Sequence, residues 1–318
     1  MIVAGIDVGT NTIRLLVADV DAGSFRELHS GRIITRLGAG LDRSGAISPE
    51  SEQRSLAALA AFTADARRFS PACIDAVGTS ALRRASNASA FIHRTADRTG
   101  LTLRVATGEE EARLTLKGVS FMLERMRGAP LPDPALVVDI GGGSTEVIRI
   151  DGGRIREQSL PLGAVYLTER FLLHDPPRKE EIDAVREAVR KELSAHAELF
   201  RSDGAPALIG TAGTITTLAA MDQRMTDYEP ARINAFVLSG TSLDALIDML
   251  SVTPNRARKL IPGLEEGRED IILAGAVVAQ EIRRLIGSAS VLVSDWGLRE
   301  GIVLAGYDRQ RESSGQAG

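Results

Sequence analysis

The stretch Leu136-Val137-Val138-Asp139-Ile140-Gly141-Gly142-Gly143-Ser144-Thr145-Glu146-Val147-Ile148-Arg149-Ile150 constrains this chain most. Apolar β-formers flank a glycine turn on both sides, which predicts a buried strand ending at Asp139 and a second strand leaving at Thr145. Glycine allows positive φ or close backbone approach, so no side chain crowds the turn of this hairpin. Successive N–H groups in such a turn form an anion cradle. Asp139 and Glu146 sit on its two rims, where a bound anion would need a divalent cation between them. The reading is a phosphate site with a metal, and the plain alternative is a hairpin with a flexible turn.

A second copy favours the first reading. Val3-Ala4-Gly5-Ile6-Asp7-Val8-Gly9-Thr10-Asn11-Thr12-Ile13-Arg14-Leu15-Leu16-Val17 follows the same order: apolar run, Asp, one apolar residue, Gly, small or turn-forming residues, a hydroxyl residue, apolar run. Asp7 and Asp139 are one domain length apart, which suggests two related domains with a phosphate loop each. In the register that aligns the two aspartates, Arg14 falls opposite Glu146. One loop would then hold an anion directly and the other a metal.

The rest of the chain alternates strands with helices, which means α/β. Ser48-Pro49-Glu50 opens a helix with a Ser cap and Pro at its first position. Cys73 to Val77 reads as a short buried strand, and Arg83 and Arg84 follow it on what should be the first turn of a helix. Arginines there oppose the helix dipole and need a reason, whether a bound anion or simple exposure to solvent. Asn87 caps the next helix and Gly100 closes it. Gly108-Glu109-Glu110-Glu111 begins another helix, where three acids complement the dipole. Arg127 to Pro134, with three prolines, is the clearest linker and the expected boundary between domains at 1–128 and 135–307. Gly210-Thr211-Ala212-Gly213-Thr214 follows a strand and precedes a helix, so it is either an anion site or a tight strand–helix contact. Residues 308–318 read as a disordered polar tail.

Composition excludes several classes. With 44% hydrophobic and 25% charged residues, the chain is neither disordered nor of membrane type, and no apolar run approaches the roughly 20 residues needed to span a bilayer. Cys73 is the only cysteine, which rules out an internal disulfide and a cysteine-based metal site. The first six residues are too short for a signal peptide, so a cytoplasmic protein is expected. The net charge of −4 hides an asymmetry. Residues 1–130 hold 17 Lys and Arg against 14 Asp and Glu, and the remainder 21 against 28, so the N-terminal half is the better host for a polyanion.

Five ordered stretches resemble the exopolyphosphatase and guanosine pentaphosphate phosphohydrolase (Ppx/GppA) family of the acetate kinase, sugar kinase, Hsp70 and actin superfamily. They are Gly78 to Asn87, Gly108 to Leu114, Val138 to Glu146, Gly210 to Thr214 and Gly297 to Gly301. The resemblance spans residues 1 to about 307. It implies two actin-like (ribonuclease H-like) α/β domains, each with a mixed five-stranded sheet, a cleft between them, and a last helix, about 297–307, that packs back on the first domain. It also implies hydrolysis of a terminal phosphoanhydride, with Glu111 positioning and deprotonating water and Arg83 contacting the substrate phosphate. Glu109, Glu110 and Asp139 would raise the proton affinity of Glu111 by like-charge repulsion, while the helix dipole works the other way. Mg2+ would be held by Asp139 and Glu146. Phosphates would be gripped by Thr10, Asn11, Thr12 and Arg14, by Gly141, Gly142, Gly143 and Ser144, and by Gly210, Thr211, Gly213 and Thr214.

Inorganic polyphosphate leads as substrate, because only 12 aromatic residues are present and none cluster at these motifs to stack a base. Hydrolysis of pppGpp, a (p)ppGpp-binding regulator with little turnover, and a sugar-kinase-like transferase are the alternatives. No nucleic-acid or membrane partner is expected. A homodimer is expected from the resemblance alone.

Overall fold

The computed structural model describes residues 1–201 and 204–315. The chain divides into two compact units: Met1–Gly118 with the described residues from Gly297 on, and Val119–Trp296.

In the first unit, β1 (Ile2–Val8), β2 (Thr12–Asp21) and β3 (Ser24–Ile34) form an antiparallel meander, followed by α1 (Leu41–Ser44) and α2 (Pro49–Arg67). Then come β4 (Cys73–Gly78), α3 (Ser80–Arg84), α4 (Ala88–Thr99), β5 (Leu103–Val105) and α5 (Gly108–Arg127). The five strands lie in the order β3-β2-β1-β4-β5, with β4 parallel to both β1 and β5. The apolar periodicity of α2 puts Leu59 and Phe62 on the sheet beside Ile6, Ile13 and Leu15. Fully burying such a side chain contributes about 1.5–3 kcal/mol.

The second unit repeats the plan. β6 (Ala135–Ile140), β7 (Thr145–Asp151) and β8 (Arg154–Leu160) form the meander, and α6 (Ala164–Phe171), α7 (Lys179–Ala195) and α8 (Ala197–Phe200) follow. Next are β9 (Ala207–Thr211), α9 (Ala212–Asp222), α10 (Pro230–Ile233), β10 (Val237–Ser239), α11 (Gly240–Val252), α12 (Asn255–Arg258), α13 (Ile272–Leu285) and β11 (Ser290–Val293). The sheet has six strands, not the expected five, in the order β10-β11-β9-β6-β7-β8. The extra strand, β10, is short and forms one edge of the sheet, antiparallel to β11. Leu136, Val138, Leu208, Leu218 and Val278 form its core.

The last helix, α14 (Leu298–Gly315), lies on the first sheet. Gly5 makes room for it, since a Cβ there would come within 2.9 Å of Val303. The helix runs through Gly315, so the expected disordered tail is corrected over 308–315. Lys117 pairs with Asp308, and Arg309 donates to Asp75 at 2.5 Å, so this polar face is held by charge. Residues 316–318 lie outside the described residues.

The proline-rich stretch 127–134 does not separate the units; the division falls inside α5, at Gly118/Val119. The first half of α5 packs on α14, where Gly301 abuts the Leu114 carbonyl and Gly118 abuts that of Gly297. The prolines only join α5 to β6. Asp133 fastens that joint to the β7–β8 turn by accepting from the N–H groups of Gly152 and Gly153 at 2.8 and 2.7 Å.

Candidate active site

Both meanders open with the same hairpin. Asp7 stands opposite Arg14 across β1–β2, and Asp139 opposite Glu146 across β6–β7, so each pair shares one face of its sheet. Each hairpin closes on a four-residue loop. The Gly9 N–H donates to the Thr12 carbonyl at 3.1 Å, and the Gly141 N–H to the Ser144 carbonyl at 3.0 Å.

Within the first loop the carbonyl oxygens are drawn inward. That of Thr10 accepts from Gly38 N–H at 2.9 Å, and that of Asn11 from Thr35 and Arg36 at 3.0 and 2.9 Å. In a trans peptide the N–H points opposite to the C=O, so the amides of Asn11 and Thr12 face the other way. Thr10, Asn11 and Thr12 are all buried. The Asn11 Nδ2, Thr12 Oγ1 and Thr35 Oγ1 atoms are buried without a hydrogen-bond partner, a costly state that an oxyanion would relieve.

The second loop is organised by α6. Its opening N–H groups, from Ala164, Val165 and Tyr166, donate to the carbonyls of Gly141 and Gly142 at 2.8 to 3.2 Å, which turns the amides of Gly142 and Gly143 outward. Gly163 lies directly against Gly142 and Gly143, so the backbones meet without side chains. Ser144 and Ser159 hydroxyls donate to the same Glu146 carboxylate oxygen at 2.8 and 2.7 Å. Asp139 and Glu146 are both buried. Two hard carboxylates on one face of the sheet suit a hard divalent cation, whose remaining positions water and phosphate would fill. Among the described residues, no set of three or more His, Cys, Asp or Glu is gathered as for an all-protein metal cage.

Arg83 and Glu111 both sit at the carboxyl edge of the first sheet, where ligands of open α/β sheets bind. α3 is only five residues long, so Arg83 and Arg84 lie in its last turn and not at the N-terminus of a helix as expected. The dipole anomaly therefore disappears, and position explains the residue. Arg83 Nη1 donates to the Ala106 carbonyl at 3.0 Å and to Glu111 at 2.5 Å. Arg84 turns away to Asp42 at 3.1 Å. Thr107 caps α5 by accepting from the Glu110 N–H at 3.1 Å. Within the first unit, the expected crowding of Glu111 by Glu109 and Glu110 is not found. Its partner is a cation, Glu110 is paired with Arg104, and Glu109 is exposed, its carboxyl held below the usual range by its own N–H and by Thr107. Asn87 starts α4 but does not cap it; its side chain brackets Ile47, accepting from the N–H and donating to the carbonyl at 2.9 Å each.

At the third loop, α9 begins at Ala212 directly after β9. Ala212 has φ +66°, a left-handed conformation rare for a residue with a Cβ and of the kind found at functional turns. Thr211 donates to the Trp296 carbonyl at 3.0 Å, Gly210 packs against Val291 and Ile215, and Thr214 packs on Gly275. Gly213 is covered by the guanidinium of Arg268. Sequence reasoning missed Arg268. It is a buried arginine in the turn before the long apolar helix α13, and it is held by Glu265 at 2.6 Å.

The model of the Ppx/GppA phosphatase family matches residues 16–310. The chain belongs to the Ppx/GppA phosphatase family. Family membership makes it a phosphoanhydride hydrolase with the actin-like ATPase fold. It is 36% identical to Exopolyphosphatase 2 of Mycobacterium tuberculosis, over 95% of this chain and 98% of the relative. Among solved structures, it resembles the Aquifex aeolicus family member with a TM-score of 0.80 and 32% identity, covering 98% of each chain. It also resembles an exopolyphosphatase from Cytophaga hutchinsonii with a TM-score of 0.87 and 28% identity, covering 97% of this chain and 98% of that one.

Proposed function

We propose that this protein is an exopolyphosphatase that removes the terminal phosphate of inorganic polyphosphate with Mg2+. The observation that carries the reading is the Arg83–Glu111 pair at the sheet edge, in the same unit as a loop whose buried donors, Asn11 Nδ2 and Thr12 Oγ1, await an acceptor. The relatives named exopolyphosphatase support the choice of polyphosphate. The lone cysteine, Cys73, fits a cytoplasmic enzyme.

In this reading Glu111 orients a water molecule and takes its proton as the oxygen attacks the terminal phosphorus. The bridging P–O bond breaks, giving orthophosphate and a chain shorter by one unit. Arg83 and Arg14 offset the charge that develops on the phosphoryl oxygens. The outward amides of the loops at 9–12 and 141–144, with the start of α9 at Thr211 to Thr214, hold phosphate oxygens. Asp139 and Glu146 would hold Mg2+, which when bound neutralises charge on those oxygens.

The test is phosphate release with Mg2+ from long-chain polyphosphate and from pppGpp, side by side, for wild type and Glu111→Gln. Release from polyphosphate that the variant loses by about 10³-fold, with polyphosphate binding retained, is expected. Preferential release from pppGpp would move the function to guanosine pentaphosphate hydrolysis. Tight (p)ppGpp binding without release from either would make the protein a regulator.

A further inference from the structure

Three consecutive acids open α5, and each has a different address. Glu109 is exposed and bonded to its own backbone and Thr107. Glu111 is paired with Arg83 at 2.5 Å. Glu110 is drawn the other way, onto Arg104 Nη1. Arg104 belongs to β5, and the rest of its guanidinium is fixed. Nε and Nη2 donate to the two oxygens of Asp75 on the neighbouring strand at 3.1 and 3.2 Å. Asp75 is held in turn by Arg309 of α14 at 2.5 Å. The chain of charges Arg309–Asp75–Arg104–Glu110 thus ends one residue before Glu111.

We propose that Arg104 is a positioning residue for Glu111: by anchoring Glu110 it keeps a second carboxylate away from Arg83 and from the incoming phosphate chain. This rests on the reading of Glu111 as the general base. Glu110 and Glu111 are adjacent on one helical turn, so a released Glu110 carboxylate competes for the same guanidinium and repels a polyanion. A bidentate Arg–Asp contact is the geometry that holds a guanidinium in one orientation, which a lysine reproduces only as a point charge.

The experiment is steady-state phosphate release from polyphosphate, or from pppGpp should that be the better substrate. The variants are Arg104→Met, Arg104→Lys, Glu110→Gln, the double variant Arg104→Met/Glu110→Gln, and Glu111→Gln, with melting temperatures recorded for each. Arg104→Met is expected to lower kcat about tenfold, a misplacement-sized effect, with Arg104→Lys between it and wild type. Glu110→Gln alone stays within about twofold of wild type. The double variant recovers kcat to within about twofold, because the carboxylate that Arg104 restrains is no longer charged.

A double variant as slow as Arg104→Met overturns the proposal and makes Arg104 a structural tie to Asp75. Full activity in Arg104→Met, with Glu111→Gln inactive, also overturns it while leaving Glu111 as the base. Activity retained in Glu111→Gln overturns the reading on which the proposal rests. If Arg104→Met melts below the assay temperature, Arg104→Lys with and without Glu110→Gln decides by the same comparison.

Discussion

The guanidinium of Arg83 lies 2.5 Å from the carboxylate of Glu111, and the same nitrogen reaches the Ala106 carbonyl at 3.0 Å. One cation therefore joins the turn after β4, the end of β5 and the start of α5. Arg83→Met should lower kcat by about 10²- to 10³-fold, as loss of a preorganised charge does, while Arg83→Lys should fall between because it keeps the charge but not the planar set of five N–H donors. Phosphate-release kinetics check this. Unchanged kcat in Arg83→Met would leave Arg83 as structural support only.

Gly163→Ala tests the second loop. A Cβ at 163 would intrude on the backbone of Gly142 and Gly143, and backbone cannot swing aside as a flexible side chain does. The outward amides of that loop should shift with it. We expect KM for polyphosphate to rise at least about tenfold and stability to fall by about 1–3 kcal/mol, read by kinetics and urea unfolding. A fully active, equally stable variant would remove this loop from the binding machinery.

Arg149 is a test of stability alone. It is wholly buried on β7. Its Nη2 meets Asp151 at 3.0 Å, yet Nε and Nη1 are without a partner. Arg149→Met keeps most of the apolar stem and removes the orphaned donors, so unfolding free energy should rise by about 1–2 kcal/mol. A loss of stability would mean that buried water satisfies the guanidinium.

Acid sensitivity should be traceable to Glu181. Burial opposes its charge, but hydrogen bonds from His174 and from the N–H groups of Arg178 and Leu173 outweigh it and hold the carboxyl at about 2, below the ordinary 4.5. A depressed folded value contributes stability that is fully present above 4.5 and is lost as pH falls from there toward 2. Wild type should therefore melt above Glu181→Gln at pH 7, and the gap should close progressively below about pH 4.5. A gap that stays constant down to pH 3 would show that the effect is not the carboxylate charge.

The hairpins were legible because their signals are local. Glycine between apolar runs, with Asp seven residues before Arg14 and before Glu146, dictates a cross-strand pair in either copy. Gly100 closing α4 in the left-handed region is equally local. What escaped depends on distant partners. The prolines at 130–134 look like a boundary until α5 is seen to bury its first half against α14. Arg268 looks like an ordinary helix-start residue until Gly213 is found beneath it. The pairing of Arg83 with Glu111 in place of crowding by Glu109 and Glu110 required knowing where Arg104 points.

The placement of α14 on β1 has a consequence for synthesis. The helix that covers Gly5 comes from residues 298–315, so everything from Val119 to Trp296 leaves the ribosome before it. The second unit is contiguous and can complete its core while the first still exposes the sheet face that α14 will cover. The strands made first are thus the last to be sealed.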